Sequence, residues 1–285
     1  MSGNMQRRKF LSVGFGALAA GASSLCFGRA PVAGTLERGA ELAPGRSLYR
    51  GAELAFGTTV TIQLLHDDER DARLAIEDAF RAARNIDRLL SIYRPGSQVH
   101  ELNRNRVLYN PDPHLLAVLS ASRRLAELTD GAFDVTVQPL WFAAGGAARR
   151  EALALVGQRD LHFDRRQVRL QRERMAITLN GIAQGYATDL ALQALRARGI
   201  RDALVDIGEF AGVGRRASHQ PWQIGLQDPR RRDGLLGTMA LENRCLATSG
   251  DYATAFSADF SRHHIVDPAS GESPPELASV TVAAP

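Results

Sequence analysis

The run Leu179-Asn180-Gly181-Ile182-Ala183-Gln184-Gly185-Tyr186 carries the most chemical information in this chain. Its two glycines sit at the entry to an amphipathic stretch with helical spacing. Small residues there let a ligand approach backbone N–H and C=O groups closely. The first turn of the following helix presents N–H donors and the positive end of the helix dipole, which suits a phosphate. A plain packing turn has the same pattern, so alone it leaves both readings open.

Four more segments have comparable character. Gly131-Ala132-Phe133-Asp134 offers a ring to cover a flat ligand and a carboxylate to hydrogen-bond it, or simply a helix stop with a buried Phe. Ser91 to Ser97 holds Tyr93, whose face suits stacking and whose hydroxyl suits a polar tip, as does many a half-buried loop Tyr. Ala247-Thr248-Ser249-Gly250-Asp251-Tyr252 is a polar turn whose hydroxyls suit a phosphate or a metal-bound oxygen, or only the turn itself. His263-His264-Ile265-Val266-Asp267-Pro268 places a histidine, a general base near neutral pH, at the end of an expected strand. Adjacent strand side chains alternate, so the two histidines are not expected to share one metal. Neither His-x-x-x-His nor a cysteine cluster occurs, which argues against zinc.

Periodicity supplies the elements that position these groups. Leu48 to Leu65 alternates as two strands broken near Gly57. Leu74, Ile76, Ala79, Phe80, Ala83, Ile86, Leu89 and Leu90 predict a helix over 71–92, stopped by Pro95-Gly96. Helices are also expected over 113–129, 147–156 and 184–198, a hairpin over 168–179, and strands over 203–207, 222–227, 237–246, 262–266 and 278–284. Residues 34–46, containing Gly and Pro, read as a linker. Helices early and strands late, without regular alternation, predict an α+β fold with an antiparallel or mixed sheet flanked by helices.

The formal charge of +4 is confined to the start of the chain. Arg7, Arg8, Lys9 and Arg29 precede the first acidic residue, Glu37, and the remaining 31 basic residues balance 31 acidic ones. A neutral body argues against nucleic acid as the partner. Lys9 is the only lysine, which excludes Schiff-base chemistry and a Walker A lysine from a processed form. Gln6-Arg7-Arg8-Lys9-Phe10-Leu11 with the apolar run after it reads as a twin-arginine signal over 1–33, followed by a domain over 47–285. This implies use of the twin-arginine export machinery and a periplasmic destination. Leu25 before Cys26 disfavours a lipoprotein, and cleavage leaves Cys245 without a disulfide partner.

In their order and spacing, Phe56-Gly57-Thr58-Thr59, Ser91 to Ser97, Gly131 to Asp134, Asn180 to Tyr186, Ala247 to Tyr252 and His264 to Gly271 resemble the ApbE family, the FAD:protein FMN transferases. The resemblance implies the ApbE fold and an enzyme that moves the FMN half of FAD onto a Thr or Ser hydroxyl of a partner protein, with Mg2+, releasing AMP. Some members supply flavin to nitrous oxide reductase systems. The partner is therefore expected to be a membrane-associated redox subunit. By the same resemblance Phe56, Tyr93, Ala132, Phe133, Asp134, Thr178, Gln184 and Ile265 match FAD-contacting positions, and His264 is expected to be the base. Thr178 stands where Asp is common, and Gln184 where Lys or Glu is. Gly181 falls at the position whose backbone carbonyl ligates Mg2+. The family's side-chain metal ligands follow the Val280-Thr281-Val282 strand in an Ala-Asp-Ala-Leu-like segment that this sequence, ending at Pro285, is expected to lack. Two further readings use the same fold: an FAD pyrophosphatase, and a non-catalytic FAD-binding assembly factor for a periplasmic redox complex.

Overall fold

A computed structural model describes residues 33–143, 145–217, 220–231 and 233–285. The twin-arginine motif and Cys26 lie outside the described residues. In chain order the elements begin β1 (Leu36–Ala43), β2 (Arg46–Ala55), β3 (Thr58–His66), α1 (Glu69–Leu90), α2 (Gln98–Asn105) and β4 (Val107–Tyr109). Then come α3 (Pro113–Leu128), α4 (Gln138–Phe142), α5 (Gly146–Leu153), β5 (Leu161–Phe163), β6 (Gln167–Leu170) and α6 (Ala183–Ala197). The chain continues with β7 (Ala203–Asp206), β8 (Phe210–Val213), β9 (Trp222–Gln227), β10 (Leu235–Leu241), β11 (Arg244–Gly250) and β12 (Ser279–Ala284). This is the expected α+β class. The described chain divides into two compact units: one holds residues up to Arg84 with Ala187–Thr254 and Leu277–Pro285, the other Asn85–Tyr186 with Ala255–Glu276. Among the described residues no helix is long and apolar enough to cross a membrane.

The first unit is built on a seven-stranded sheet of order β1-β2-β3-β7-β8-β11-β12, antiparallel throughout. The two faces of β2 are buried differently because successive side chains point to opposite sides. Leu48 joins Leu65, Leu204, Trp222, Ile224, Leu241 and Leu246 in an apolar cluster that includes the separate β9–β10 ribbon. The opposite face receives α1. That helix buries Ala72, Ala75, Ile76, Ala79, Phe80 and Ala83, a spacing that makes one continuous apolar stripe. Arg84 at its far end pairs with Glu53 of β2.

Several expectations about the elements are corrected. The stretch 34–46 is not a linker: β1 pairs with β2 across a turn at Pro44-Gly45. Its side chains are mostly exposed, so no alternation marked it. The strand expected over 237–246 is two strands, turned at Asn243, which takes φ +54°. The strand over 262–266 reduces to one bridge, Ala255 with His263.

The second unit holds α2 to α5, the small sheet β4-β6-β5 and the loop 255–276. Of the hairpin expected over 168–179, only its first arm forms as β6; residues after Leu170 run without strand pairing.

Gly51 marks where α1 meets the sheet. A Cβ there would lie 2.7 Å from Ile76 Cγ2 and 2.9 Å from Phe80 Cε2. Gly51→Ala is therefore expected to cost about 1–3 kcal/mol in urea unfolding, because the core has no room for one more carbon.

Candidate active site

Most residues marked by sequence lie in the second unit: Tyr93, Ala132, Phe133, Asp134, Thr178, Gly181, Gln184, His264 and Ile265. Phe56 and the Ala247–Tyr252 segment belong to the first; that segment is not wholly a turn, because Ala247–Gly250 is the end of β11 and pairs with β12. Phe56 occupies the tip of the β2–β3 hairpin, whose two-residue loop has φ +53° at Phe56 and +72° at Gly57. Such primed turns favour Asn or Gly at the first loop position; a bulky side chain there is strained.

The loop after α3 is shaped by its own polar groups. Gly131, at φ +86°, carries the chain out of the helix, and its N–H donates to Ala126 C=O at 2.8 Å. Asp134, expected to bond a flat ring, directs its carboxylate to protein groups. Oδ1 accepts from Thr136 N at 2.7 Å and Thr136 Oγ1 at 2.6 Å, and Oδ2 accepts from Gln158 N at 3.2 Å. These bonds cap a single 3₁₀ turn, Val135–Val137, that leads into α4. Ala132 beside it is exposed.

The segment before α6 packs on this loop. Thr178 is buried; its N–H donates to Val135 C=O at 2.8 Å and its Oγ1 accepts from Asn180 N at 3.3 Å. Gly181 is exposed, and a Cβ on it would touch Phe133 Cε2 at 3.4 Å. Phe133 and Gly181 are thus brought side by side. Gln184 is half-buried in the first turn of α6. Tyr186 in the next turn shares a 2.7 Å hydrogen bond with His114 Nδ1 at the start of α3.

The same loop touches the histidine at its other end. Trp141 of α4 meets His264 edge to face, with ring centroids 6.2 Å apart and planes at 88°. Residues Phe133 to Trp141 therefore contact Gly181 at one end and His264 at the other. Ile265 is half-buried beside His264. The rings of His263 and His264 lie 6.5 Å apart with planes at 71°. Asp267 shapes the following turn, accepting from Ala269 N, Ser270 N and Ser270 Oγ. The Ser270 hydroxyl bond, with those from backbone N–H groups, holds its carboxyl below the usual range. Tyr93, about half exposed, stands on a loop folded around Ser91 Oγ, which accepts from Tyr93 N and Arg94 N. Partial burial raises its hydroxyl above the usual phenol range. A surface cavity of about 420 Å³ lined by Arg123, His162, Phe163 and Arg169 shares no residue with this set.

A hard cation needs about six oxygen ligands in octahedral array. Among the described residues no group of three or more His, Cys, Asp or Glu converges on one point. The Gly181 carbonyl alone does not make a site, so the described residues do not by themselves form the Mg2+ site that the resemblance implies.

The sequence profile of the ApbE family matches residues 56–285. The chain belongs to the ApbE family. It is 28% identical over 252 residues to the FAD:protein FMN transferase of Klebsiella pneumoniae (strain 342), covering 82% of this chain and 77% of that protein. It is 27% identical over 258 residues to the enzyme of the same name from Haemophilus influenzae, covering 80% of this chain and 74% of that protein. Among solved structures, the ApbE protein of Thermotoga maritima superposes with a TM-score of 0.73 at 30% identity, covering 84% of this chain and 82% of that one. The Pseudomonas stutzeri flavinyl transferase ApbE in its apo form gives 0.71 at 30% identity, covering 84% and 79%. The fold is the ApbE fold.

Three residues escaped the sequence reading. Asn103 of α2 bonds both backbone groups of the wholly buried Ile177: Nδ2 donates to its C=O at 2.8 Å, and its N–H donates to Oδ1 at 2.7 Å. No periodicity announces α2, whose Ser97 cap receives His100 N at 3.0 Å. Trp141 lies in none of the segments that the sequence marks out. In the first unit, Glu209 follows Gly208 in the β7–β8 turn. Burial pushes its carboxyl up to about 7, Asp206 adds to the rise, and the Thr248 backbone N–H opposes it. An acid at the end of the apolar strand Ala203–Asp206 was the available signal.

Two outcomes follow. Asn103→Ala leaves two buried backbone groups without partners and is expected to cost about 2–4 kcal/mol, read by denaturant unfolding. Glu209 has a raised folded-state pKa, so its folded form holds its proton more tightly than the unfolded chain. Its contribution to stability is complete below about 4.5 and is lost as pH rises through about 7. Glu209→Gln should therefore raise the melting temperature at about pH 8 and leave it nearly unchanged at about pH 4.

Proposed function

We propose that this chain transfers the FMN half of FAD to a Thr or Ser hydroxyl of a partner protein and releases AMP. The observation that carries the reading is the segment from Phe133 to Trp141, which joins an aromatic beside the exposed Gly181 turn to a half-buried histidine. The family match and the names of the curated relatives support it. In the step proposed, the acceptor hydroxyl oxygen attacks the FMN phosphorus and the bond from that phosphorus to the bridging oxygen breaks. AMP leaves with the bridging oxygen, and His264 takes the hydroxyl proton. Phe133 covers the ligand on the Gly181 side, with Ala132 leaving open space beside it. Tyr93, Gln184 and Ile265 complete the FAD contacts in this reading, while Asp134 and Thr178 act by holding the loop. Such transfer depends on in-line positioning and charge neutralisation more than on covalent chemistry. Mg2+ would supply that neutralisation, and Gly181 offers one carbonyl toward it.

The reading includes export by the twin-arginine route, on the strength of Arg7-Arg8-Lys9, and a membrane-associated redox subunit as acceptor. Incubation of the full-length gene product with FAD, Mg2+ and an acceptor subunit is expected to yield covalently bound flavin and stoichiometric AMP. His264→Ala should lower the rate by about a hundredfold or more, the scale of a lost general base. AMP release that needs no acceptor would favour the pyrophosphatase. Bound FAD with neither product would favour the assembly factor.

A further inference from the structure

We propose that Trp141 is a positioning residue for His264, an inference that rests on the reading of His264 as the proton acceptor. The backbone on both sides of His264 is fixed. His263 is 2% exposed, with a 3.1 Å hydrogen bond between its Nε2 and Pro274 C=O. Its N–H donates to Ser273 Oγ at 3.0 Å, and that hydroxyl donates back to His263 C=O at 2.8 Å. Downstream, the Asp267 turn is seated on the α4–α5 pair. Gly271 has φ +73°, and a Cβ on it would lie 3.3 Å from both Leu140 Cδ2 and Leu153 Cδ1. Glu272 pairs with Arg149 of α5 at 3.3 Å. Only a glycine satisfies this φ without strain while lying this close to α4 and α5.

Between these anchors, residues 264–266 have no strand partner. Backbone pairing therefore does not set the direction of the His264 ring, and two neighbouring rings bear on it. Trp141 stands edge to face with it at 6.2 Å, and His263 does so at 6.5 Å with planes at 71°. Both distances fall in the range where perpendicular aromatic pairs attract. His263 is held from behind by Pro274, and Trp141 projects from the helix on which the turn sits. The imidazole has two aromatic neighbours. A base held in one orientation reacts from most encounters; one free to rotate does not.

The test compares the full-length protein with Trp141→Leu, Trp141→Phe and His264→Ala in FMN transfer from FAD to an acceptor protein, beside thermal melts and histidine ring-proton NMR. Trp141→Leu keeps apolar bulk and removes the ring. It is expected to lower kcat about tenfold or more while KM for FAD stays within about twofold, since orientation acts on the reacting step. Trp141→Phe should restore most of the rate. The His264 ring protons should lose their aromatic ring-current shift in the Leu variant alone. A raised KM with unchanged kcat would make Trp141 a ligand contact and overturn the proposal. So would wild-type kinetics in Trp141→Leu when His264→Ala is inactive. Full activity in His264→Ala would instead overturn the reading of His264. Should Trp141→Leu fail to fold, wild-type His264 ring protons at ordinary, unshifted positions would overturn the proposal.

Discussion

The buried run from Met175 to Leu179 has to satisfy its backbone polar groups without belonging to a helix or a strand. An unsatisfied amide or carbonyl at that depth costs as much as several good contacts return. Asn103 resolves this at Ile177 by acting as a one-residue strand: its amide presents one donor and one acceptor to Ile177, as a neighbouring backbone would. Val135 C=O takes the N–H of Thr178, the next residue. With these bonds made, the Gly181 turn is held at the head of α6 while remaining exposed. Two demands that normally conflict, a fixed backbone and an uncovered one, are met by placing the hydrogen bonds immediately upstream.

The same economy operates at Asp134. A carboxylate in a loop of this kind invites assignment to a ligand, yet its oxygens take Thr136 N, Thr136 Oγ1 and Gln158 N. Thr136 Oγ1 in turn accepts from Gly157 N at 2.7 Å. A small polar knot thus fixes the first 3₁₀ turn and sets the direction in which α4 leaves it. From there Leu140 and Trp141 face the 264–271 loop. Chemistry assigned to His264 therefore depends on residues more than a hundred positions earlier, among them a carboxylate that acts as a cap.

Where a stripe is buried by one partner, its spacing was readable. The alternation of Leu48 to Leu65 gave β2 and β3, and the apolar positions from Leu74 to Leu90 gave α1. Gly199, at φ +76°, ended α6 as expected. Reading failed where pairing was supplied from far away in sequence. Met175, Ile177 and Leu179 alternate like a strand and are all buried, but a side chain 74 residues distant takes the partner's place. β1 was missed because an exposed strand carries no pattern, and the Asn243 turn because an asparagine, not a glycine, takes the left-handed conformation there. For the candidate site, the motif residues pointed to loops that the fold brings together at Phe133–Gly181 and at Trp141–His264. Their division of labour was not legible, because Asp134 as a cap and Asp134 as a ligand contact look alike until Gln158 is in place.

The two tryptophans of this chain fall one in each unit. Trp222 is wholly buried, its indole N–H donating to Val213 C=O at 3.0 Å, whereas Trp141 is half-buried against an imidazole. Their emission should differ in colour and in access to soluble quenchers. Intrinsic fluorescence thus comes ready divided: the blue component follows the large sheet, and the redder one, open to quenching by a protonated imidazole, follows the histidine loop.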